Sequence, residues 1–275
     1  MQLSTEQLKT YAEKGFLLLP NWFSQLEVEI IKSELVALLA RDTSNKVIEK
    51  DGNTVRSLLG PHLDSEFFRL LSEHPRLVEP AMQAIGSEVY VHAFRIHFKA
   101  AFDGDVWAWH QDYAYWDKVD GMPTARAITI IVFLNEVNEF NGPLFLIPRS
   151  HQENVINLIM KEEQQHPAYQ DSPTWVSLMT TTEKYSTDKN TVAKLAQRYG
   201  LESAKGPAGT VLCIHPQCVH GSAPNISPFD RNIAVFGYNS VENIPVPVEN
   251  PRPEFITGRN YTPIKPVSEG ILLRS

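Results

Sequence analysis

From Glu88 onward the chain changes its rhythm. Segments near 89–99, 106–112, 125–134, 143–147, 209–214 and 231–238 are short, rich in Val, Ile, Phe and Tyr, and punctuated by Gly, Pro and Asn. Runs of that length between turn residues predict an antiparallel β core. The periodicity before them is helical. Ser4–Glu13 reads as a helix capped by Ser4 or Thr5 and stopped at Gly15, with a short buried strand at Phe16–Leu19. A second helix covers roughly Ser24–Arg41. A further helical region runs over about Ser65–Gly86, with Pro75 and Pro80 dividing it. Asp51-Gly52 marks a turn between the two. No linker separates helices from strands. The expectation is one domain over 1–275, α+β and mainly β, with the helices of 1–87 packed outside a sandwich or barrel at about 88–240. Residues 152–205 form a polar, helix-leaning insertion between two β segments expected to be neighbours, and read as a lid. The stretch 241–275, proline-rich at Pro245–Pro263, reads as a surface arm.

Bulk properties narrow the functions. A hydrophobic content of 43% across 275 residues can build a substantial core. The net charge of −7 and the lack of a long Lys/Arg run argue against nucleic acid or anionic membrane as partners. No stretch approaches the ~20 apolar residues that span a bilayer. The polar start MQLSTEQLKTYAEKG does not read as a signal peptide, and two cysteines do not make a disulfide framework. Together these point to a reducing cytoplasm.

The chemistry-bearing stretch is WAWHQDYAYWDKVDGMP, Trp107 to Pro123. On an extended strand, His110 and Asp112 would share a face and offer an imidazole and a carboxylate to one metal ion. A third ligand has two candidates, His215 and His220, whose five-residue offset puts them on opposite faces of a continuous strand. The residues downstream of His220 favour it over His215. Arg231 comes eleven residues later on the next predicted strand, where its guanidinium can pair bidentately with a carboxylate bound beside the metal, and Ser222 can add a hydroxyl. Two histidines and one carboxylate on a β scaffold are the facial triad of non-haem Fe(II) oxygenases. A rival is a zinc site from Cys213, His215, Cys218 and His220. It has no turn between its ligand pairs, so the two cysteines read better as buried and inert.

With these residues in place, the chain resembles the phytanoyl-CoA dioxygenase superfamily of Fe(II)/2-oxoglutarate oxygenases from its N-terminal helix to about Pro263. The motifs that carry the likeness are WHQD (109–112), DGMP (120–123), NGPLFLIPRSH (141–151) and HGSAPNISPFDR (220–231). Within the superfamily it is similar to ectoine hydroxylases. It is more similar to hydroxylases of free aliphatic amino acids, notably leucine 5-hydroxylases, through DGNTVRSLLGPH, DVWAWHQDYAYW, EFNGP and NPRPEFITGRNYTP. The resemblance implies a double-stranded β-helix (jelly-roll) fold and iron on His110, Asp112 and His220. It also implies that the distal carboxylate of 2-oxoglutarate sits on Arg231 and Ser222, and that dioxygen is the oxidant. One departure stands out. Ectoine hydroxylases carry Gln and Asn on the strand before the motif, where this chain has Ala93 and His97, although His97 can still donate to the keto acid.

Halogenases of the superfamily replace the ligating carboxylate with Gly or Ala, so Asp112 points to hydroxylation. For the substrate, Trp107, Tyr113, Tyr115 and Trp116 form an aromatic cluster suited to an aliphatic side chain. An amino acid also needs a cation for its carboxylate, from Arg126, Arg252 or Arg259, and an acceptor for its amine, from Asp117, Glu242 or Glu254. The readings are a hydroxylase of leucine or a close analogue, a hydroxylase of another small metabolite (ectoine, proline or a carrier-bound intermediate), and a non-catalytic metal-binding jelly roll. An acyl-CoA substrate lacks a basic patch for its phosphates.

Overall fold

The computed structural model describes residues 2–41, 45–153, 158–159, 174–177 and 185–274. Helix α1 (Thr5–Lys14) opens with a capping box between Ser4 and Gln7 and ends at Gly15, whose φ of +84° is one that a side chain would strain. Strand β1 (Phe16–Leu19) comes next. Helix α2 (Gln25–Leu39) starts from a second capping box, Ser24 with Glu27. Then come β2 (Lys46–Ile48), β3 (Val55–Leu59), α3 (Pro61–Asp64), α4 (Glu66–Ser72) and α5 (Pro75–Ile85).

Two expectations for this first third need correction. It holds more strand than expected, because β2 and β3 join the expected strand β1 in the main sheet. β2 and β3 are short and carry charged residues, and it is pairing along β3 to the next strand that makes them β. Pro80 does not divide the helical region, since it lies inside α5. The Arg76 carbonyl, which an amide at position 80 would have filled, accepts the indole N–H of Trp22 at 2.8 Å instead. Pro75 does make the break, at the start of α5.

Next in order are β4 (Val89–His97), β5 (Trp107–His110), α6 (Asp112–Asp120), β6 (Ala127–Phe133), β7 (Leu144–Leu146), β8 (Leu158–Ile159), α7 (Thr174–Ser177), β9 (Ser186–Thr187), α8 (Lys189–Tyr199), β10 (Glu202–Ala204), β11 (Val211–Ile214), β12 (His220–Ser222) and β13 (Ile233–Ser240). They form a seven-stranded sheet in the order β1-β11-β6-β13-β4-β3-β2 and a six-stranded sheet in the order β10-β7-β12-β5-β9-β8. Both are antiparallel, and with the flanking helices they make the jelly-roll architecture. The segments either side of the insertion, β7 and β11, are not neighbours as expected. They lie in different sheets, and β7 pairs with β10 and β12. The ends of 152–205 are therefore part of the small sheet through β9 and β10. Residues 154–157, 160–173 and 178–184, where a lid was expected, lie outside the described residues.

The large sheet is covered on both faces. Phe94 and Ile96 of β4, Ile128, Ile130 and Val132 of β6, and Phe236 of β13 pack with Ile31 of α2, Phe68 of α4 and Leu77 of α5. Alternate residues face the small sheet, where Ile131, Phe133 and Ile233 meet Leu144 and Leu146 of β7. All seven residues of AITIIVF in β6 are buried, as a strand sandwiched on both sides requires. Fully burying each such side chain stabilises the fold by roughly 1.5–3 kcal/mol. No described helix is long and apolar enough to cross a membrane.

Candidate metal centre and its cavity

His110 ends β5 and His220 begins β12, and the two are direct cross-strand partners. That register brings two histidines 110 positions apart in sequence to a ring-centroid distance of 4.3 Å. Each ring bonds through Nδ1 to a carbonyl two residues back on its own chain, His110 to Ala108 at 2.7 Å and His220 to Cys218 at 3.0 Å. A carbonyl only accepts, so both Nδ1 atoms carry the proton and both Nε2 lone pairs are open. Gly221, within β12, allows this close approach, since a Cβ there would stand 3.0 Å from the Trp107 carbonyl.

Asp112 arrives differently from the expectation. The strand stops at His110, Gln111 is the N-cap, and Asp112 is the first residue of α6. An acidic residue is favoured at a helix start, and the Tyr113 amide in that first turn is satisfied by the Pro216 carbonyl at 2.9 Å. The carboxylate Oδ1 lies 3.6 Å from His110 Nε2 and 3.9 Å from His220 Nε2. One ligand atom from each of the three residues falls within 4.8 Å of the others, and no other such group assembles among the described residues. Burial pushes the Asp112 carboxyl up, but the adjacent imidazoles of His110 and His220 and the Thr129 hydroxyl outweigh this and hold it well below the usual range. Burial also takes His220 down to about 4, so its imidazole is neutral and ready to ligate. Two imidazoles and a carboxylate suit a first-row divalent ion such as Fe(II). The zinc alternative is not formed. Cys213 and Cys218 are buried free thiols in two different clusters, and His215 packs near Tyr11 and His151.

A cavity opens beside the triad, between the two sheets. Its wall includes His97, Trp107, Trp116, Ser222 and Arg231, five residues expected from the sequence, and also Arg95, which was not. Arg231 is 1% exposed, and its Nε has no hydrogen-bond partner. Burial and the neighbouring Arg56 lower its pKa to about 9, which still leaves it charged at neutral pH. A buried guanidinium with an idle N–H asks for an anion, and a carboxylate beside the metal would meet that need. Next to it, Lys99 donates from Nζ to Ser222 Oγ at 2.7 Å, which turns the serine's own proton outward. His97 is held neutral, its pKa driven down by burial and by Arg95, Arg56 and Arg231, and its Nδ1 bonds Ser57 Oγ at 2.7 Å. Trp107 is fixed between the His97 ring, 4.7 Å away, and the Arg56 guanidinium, 4.0 Å away.

Tyr113 and Tyr115 do not join the cavity wall. From Asp112 the backbone is helical, so residues 113, 115 and 116 point in different directions, and only the i+4 residue, Trp116, turns inward with Asp112. Tyr113 turns its hydroxyl to the Pro123 carbonyl, and Tyr115 stands edge-on to the His110 ring at 6.3 Å and meets Tyr185. Of the expected cations, Arg126 pairs with Glu242 near the surface, while Arg252 is engaged by Asp120, and Arg259 donates to the Arg252 carbonyl. None of the three lines the cavity. Among the expected acceptors, Asp117 pairs with Lys118 and Glu254 is exposed. Arg95 could have been found by stepping back two residues from His97 along the same strand face. Lys99 gave no such signal, because lysine is rarely buried.

Residues 11–233 match the phytanoyl-CoA dioxygenase (PhyH) family. An L-proline trans-4-hydroxylase of Streptomyces griseoviridis is 33% identical over 258 residues, covering 94% of this chain and 93% of that protein. An ectoine dioxygenase of Bordetella bronchiseptica is 36% identical over 274 residues, covering 96% and 86%. The solved structure of EctD from S. alaskensis with 2-oxoglutarate and 5-hydroxyectoine superposes with a TM-score of 0.80 at 31% identity, over 97% of this chain and 87% of that one. The chain therefore belongs to the phytanoyl-CoA dioxygenase family and is a dioxygenase of the iron- and 2-oxoglutarate-dependent kind.

Proposed function

We propose that the protein hydroxylates an unactivated C–H bond of a free aliphatic L-amino acid, leucine or a close analogue, coupled to decarboxylation of 2-oxoglutarate to succinate. His110 and His220 hold the iron through Nε2, and Asp112 through a carboxylate oxygen. Iron, 2-oxoglutarate and dioxygen together supply an oxidant able to replace such a hydrogen with hydroxyl. The chain must hold two carboxylate-bearing molecules in a fixed mutual placement. Arg231 and Ser222 take the distal carboxylate of 2-oxoglutarate, with Lys99 behind Ser222 and His97 alongside. Arg95 takes the carboxylate of the amino acid. Trp107, Trp116, Ile131 and Val235 offer the apolar surface for its side chain. Both sheets contribute to this one cavity, so 1–275 is read as a single catalytic unit.

The observation that carries the reading is that two arginines, the buried Arg231 and the half-buried Arg95, line one cavity. The backbone of Arg231 bonds that of Lys99 in both directions, and Arg95 lies on β4 four positions before Lys99, which sets the two arginine backbones roughly 13 Å apart at the usual strand rise. Arg95 gives the cavity wall a second guanidinium, suited to an acid group such as that of an amino acid. Proline is the second reading, favoured by the likeness to the Streptomyces griseoviridis hydroxylase over 94% of the chain. Ectoine is less favoured, since Ala93 supplies no polar side chain where the ectoine hydroxylases carry Gln.

The test is a turnover screen with Fe(II) and 2-oxoglutarate, offering each of the twenty amino acids and ectoine in turn. Succinate release and a mass gain of one oxygen on leucine, isoleucine or valine support the first reading, and a gain on proline alone selects the second. A gain on ectoine alone, or on none, overturns both.

A further inference from the structure

Helix α6 carries Asp112 at its first residue, Trp116 at its fifth and Asp120 at its last. The Asp120 side chain is 1% exposed and accepts from three separate places. Arg252 donates from Nε at 2.9 Å and from Nη2 at 2.6 Å, Thr257 from Oγ1 at 2.9 Å, and His92 on β4 lies 3.1 Å away through Nε2. His92 also sets its ring against Trp116 at 5.2 Å, and that indole abuts Gly237, where a Cβ would come within 3.1 Å of it. Arg252 and Thr257 belong to the C-terminal arm, which is tied down on both sides of this cluster. The Val246 amide bonds the Gly121 carbonyl at 2.9 Å at the end of α6, and the Gly258 amide bonds the His92 carbonyl at 2.7 Å.

We infer that Asp120 is a positioning residue: its buried pairing with Arg252 and His92 sets α6 along its axis, and so places Asp112 at the metal and Trp116 on the substrate wall. The lever is short and stiff. Eight residues of helix span about 12 Å, so movement at Asp120 reaches Asp112 through hydrogen-bonded backbone. A buried ion pair is a poor way to gain stability but a good way to select one arrangement, because a shifted helix would leave a charge unpaired in the interior. The expectation of a proline-rich surface arm thus gains a role, since its arginine reaches the metal centre through another helix.

The inference concerns the same site as the proposed function, and one of its tests is independent of the substrate. Co(II) binding to the full chain, followed by visible absorbance, is compared for wild type and for Asp120→Asn, Arg252→Gln and Arg252→Lys. Asp120→Asn and Arg252→Gln are expected to weaken Co(II) binding about tenfold, the lower end for losing a group that orients a ligand, while Arg252→Lys keeps most of it. With the turned-over substrate, the first two should also release succinate in excess of hydroxylated product, a ratio that does not depend on how much enzyme is folded. If either fails to fold, Thr257→Val, which removes one neutral bond, is measured for the same ratio and should raise it slightly. Lower thermal stability with unchanged Co(II) binding and an unchanged ratio would overturn the inference. So would a loss of substrate binding in Arg252→Gln that Asp120→Asn does not share, since Arg252 would then act on substrate directly. If wild type turns over no amino acid, the proposed function fails while the Co(II) comparison still decides this point.

Discussion

Thr129 Oγ1 donates to Oδ2 of Asp112 at 2.5 Å, on the side of the carboxylate away from the two histidines. The Oδ1 atom is the one that faces His110 and His220. One oxygen is thus occupied and the other presented, which favours single-oxygen ligation and leaves room at the metal for the keto acid. Thr129→Val keeps the shape and removes the donor. It is expected to weaken Fe(II) or Co(II) binding by about 10- to 100-fold, whereas Thr129→Ser should stay close to wild type. Metal titration of the three proteins checks this.

Asp112 is the residue on which the class of reaction turns. Asp112→Ala should abolish hydroxylation, and full activity in that variant would remove Asp112 from the metal site. Wild type assayed in chloride buffer should give only oxygenated product by mass, since the carboxylate fills the position a halide would need.

Arg231 should matter to 2-oxoglutarate far more than to the substrate. Removing one partner of a buried charge pair costs about 3 kcal/mol, so Arg231→Met is expected to raise the KM for 2-oxoglutarate on the order of 100-fold. The amino-acid KM, measured at saturating 2-oxoglutarate, should change little.

Lys99 adds a pH dependence to the same event. Burial, then Arg231 and Arg56, lower its pKa to about 6, opposed weakly by Asp105 and Glu49. A carboxylate bound at Ser222 would raise that pKa, so binding takes up a proton above pH 6. Affinity for 2-oxoglutarate is then greatest below pH 6 and falls as pH rises, by at most tenfold per pH unit. Lys99→Met should flatten the profile of 2-oxoglutarate KM between pH 6 and 8.

The contrast between these residues shows what a sequence can disclose. His110 and His220 could be paired because each sits in a β-like segment, and a single arginine eleven residues on gave the second of them a purpose. Asp112 was reached by strand spacing although a helix places it, because a helix that starts immediately after a strand can still turn its first side chain back toward that strand's end. The same switch misplaced Tyr113 and Tyr115. Thr129 was invisible for a different reason. It is one polar residue in AITIIVF, and only the antiparallel sheet topology decides that it faces the metal and not the helices. β2 and β3 were missed because they are set by pairing, β3 with β4 and β2 with β3, rather than by their own composition.

Arg95 gives the sharpest test of the substrate class. It stands on the same face of β4 as His97, two residues before it, and burial together with Arg252 lowers its pKa to about 10, so it remains a cation at neutral pH. If it holds the carboxylate of an amino acid, Arg95→Met should raise the amino-acid KM by about 100-fold, again the cost of leaving a buried charge without its partner, with the KM for 2-oxoglutarate within a few-fold of wild type. Arg95→Lys, which keeps the charge but not the planar fork, should fall between the two. The decarboxylated amine of the best substrate supplies the complementary measurement. It lacks the acid group, so wild type should turn it over poorly and Arg95→Met should show no further loss. Equal losses on the amino acid and on its amine would mean that Arg95 serves the cavity in some way other than by binding a substrate carboxylate.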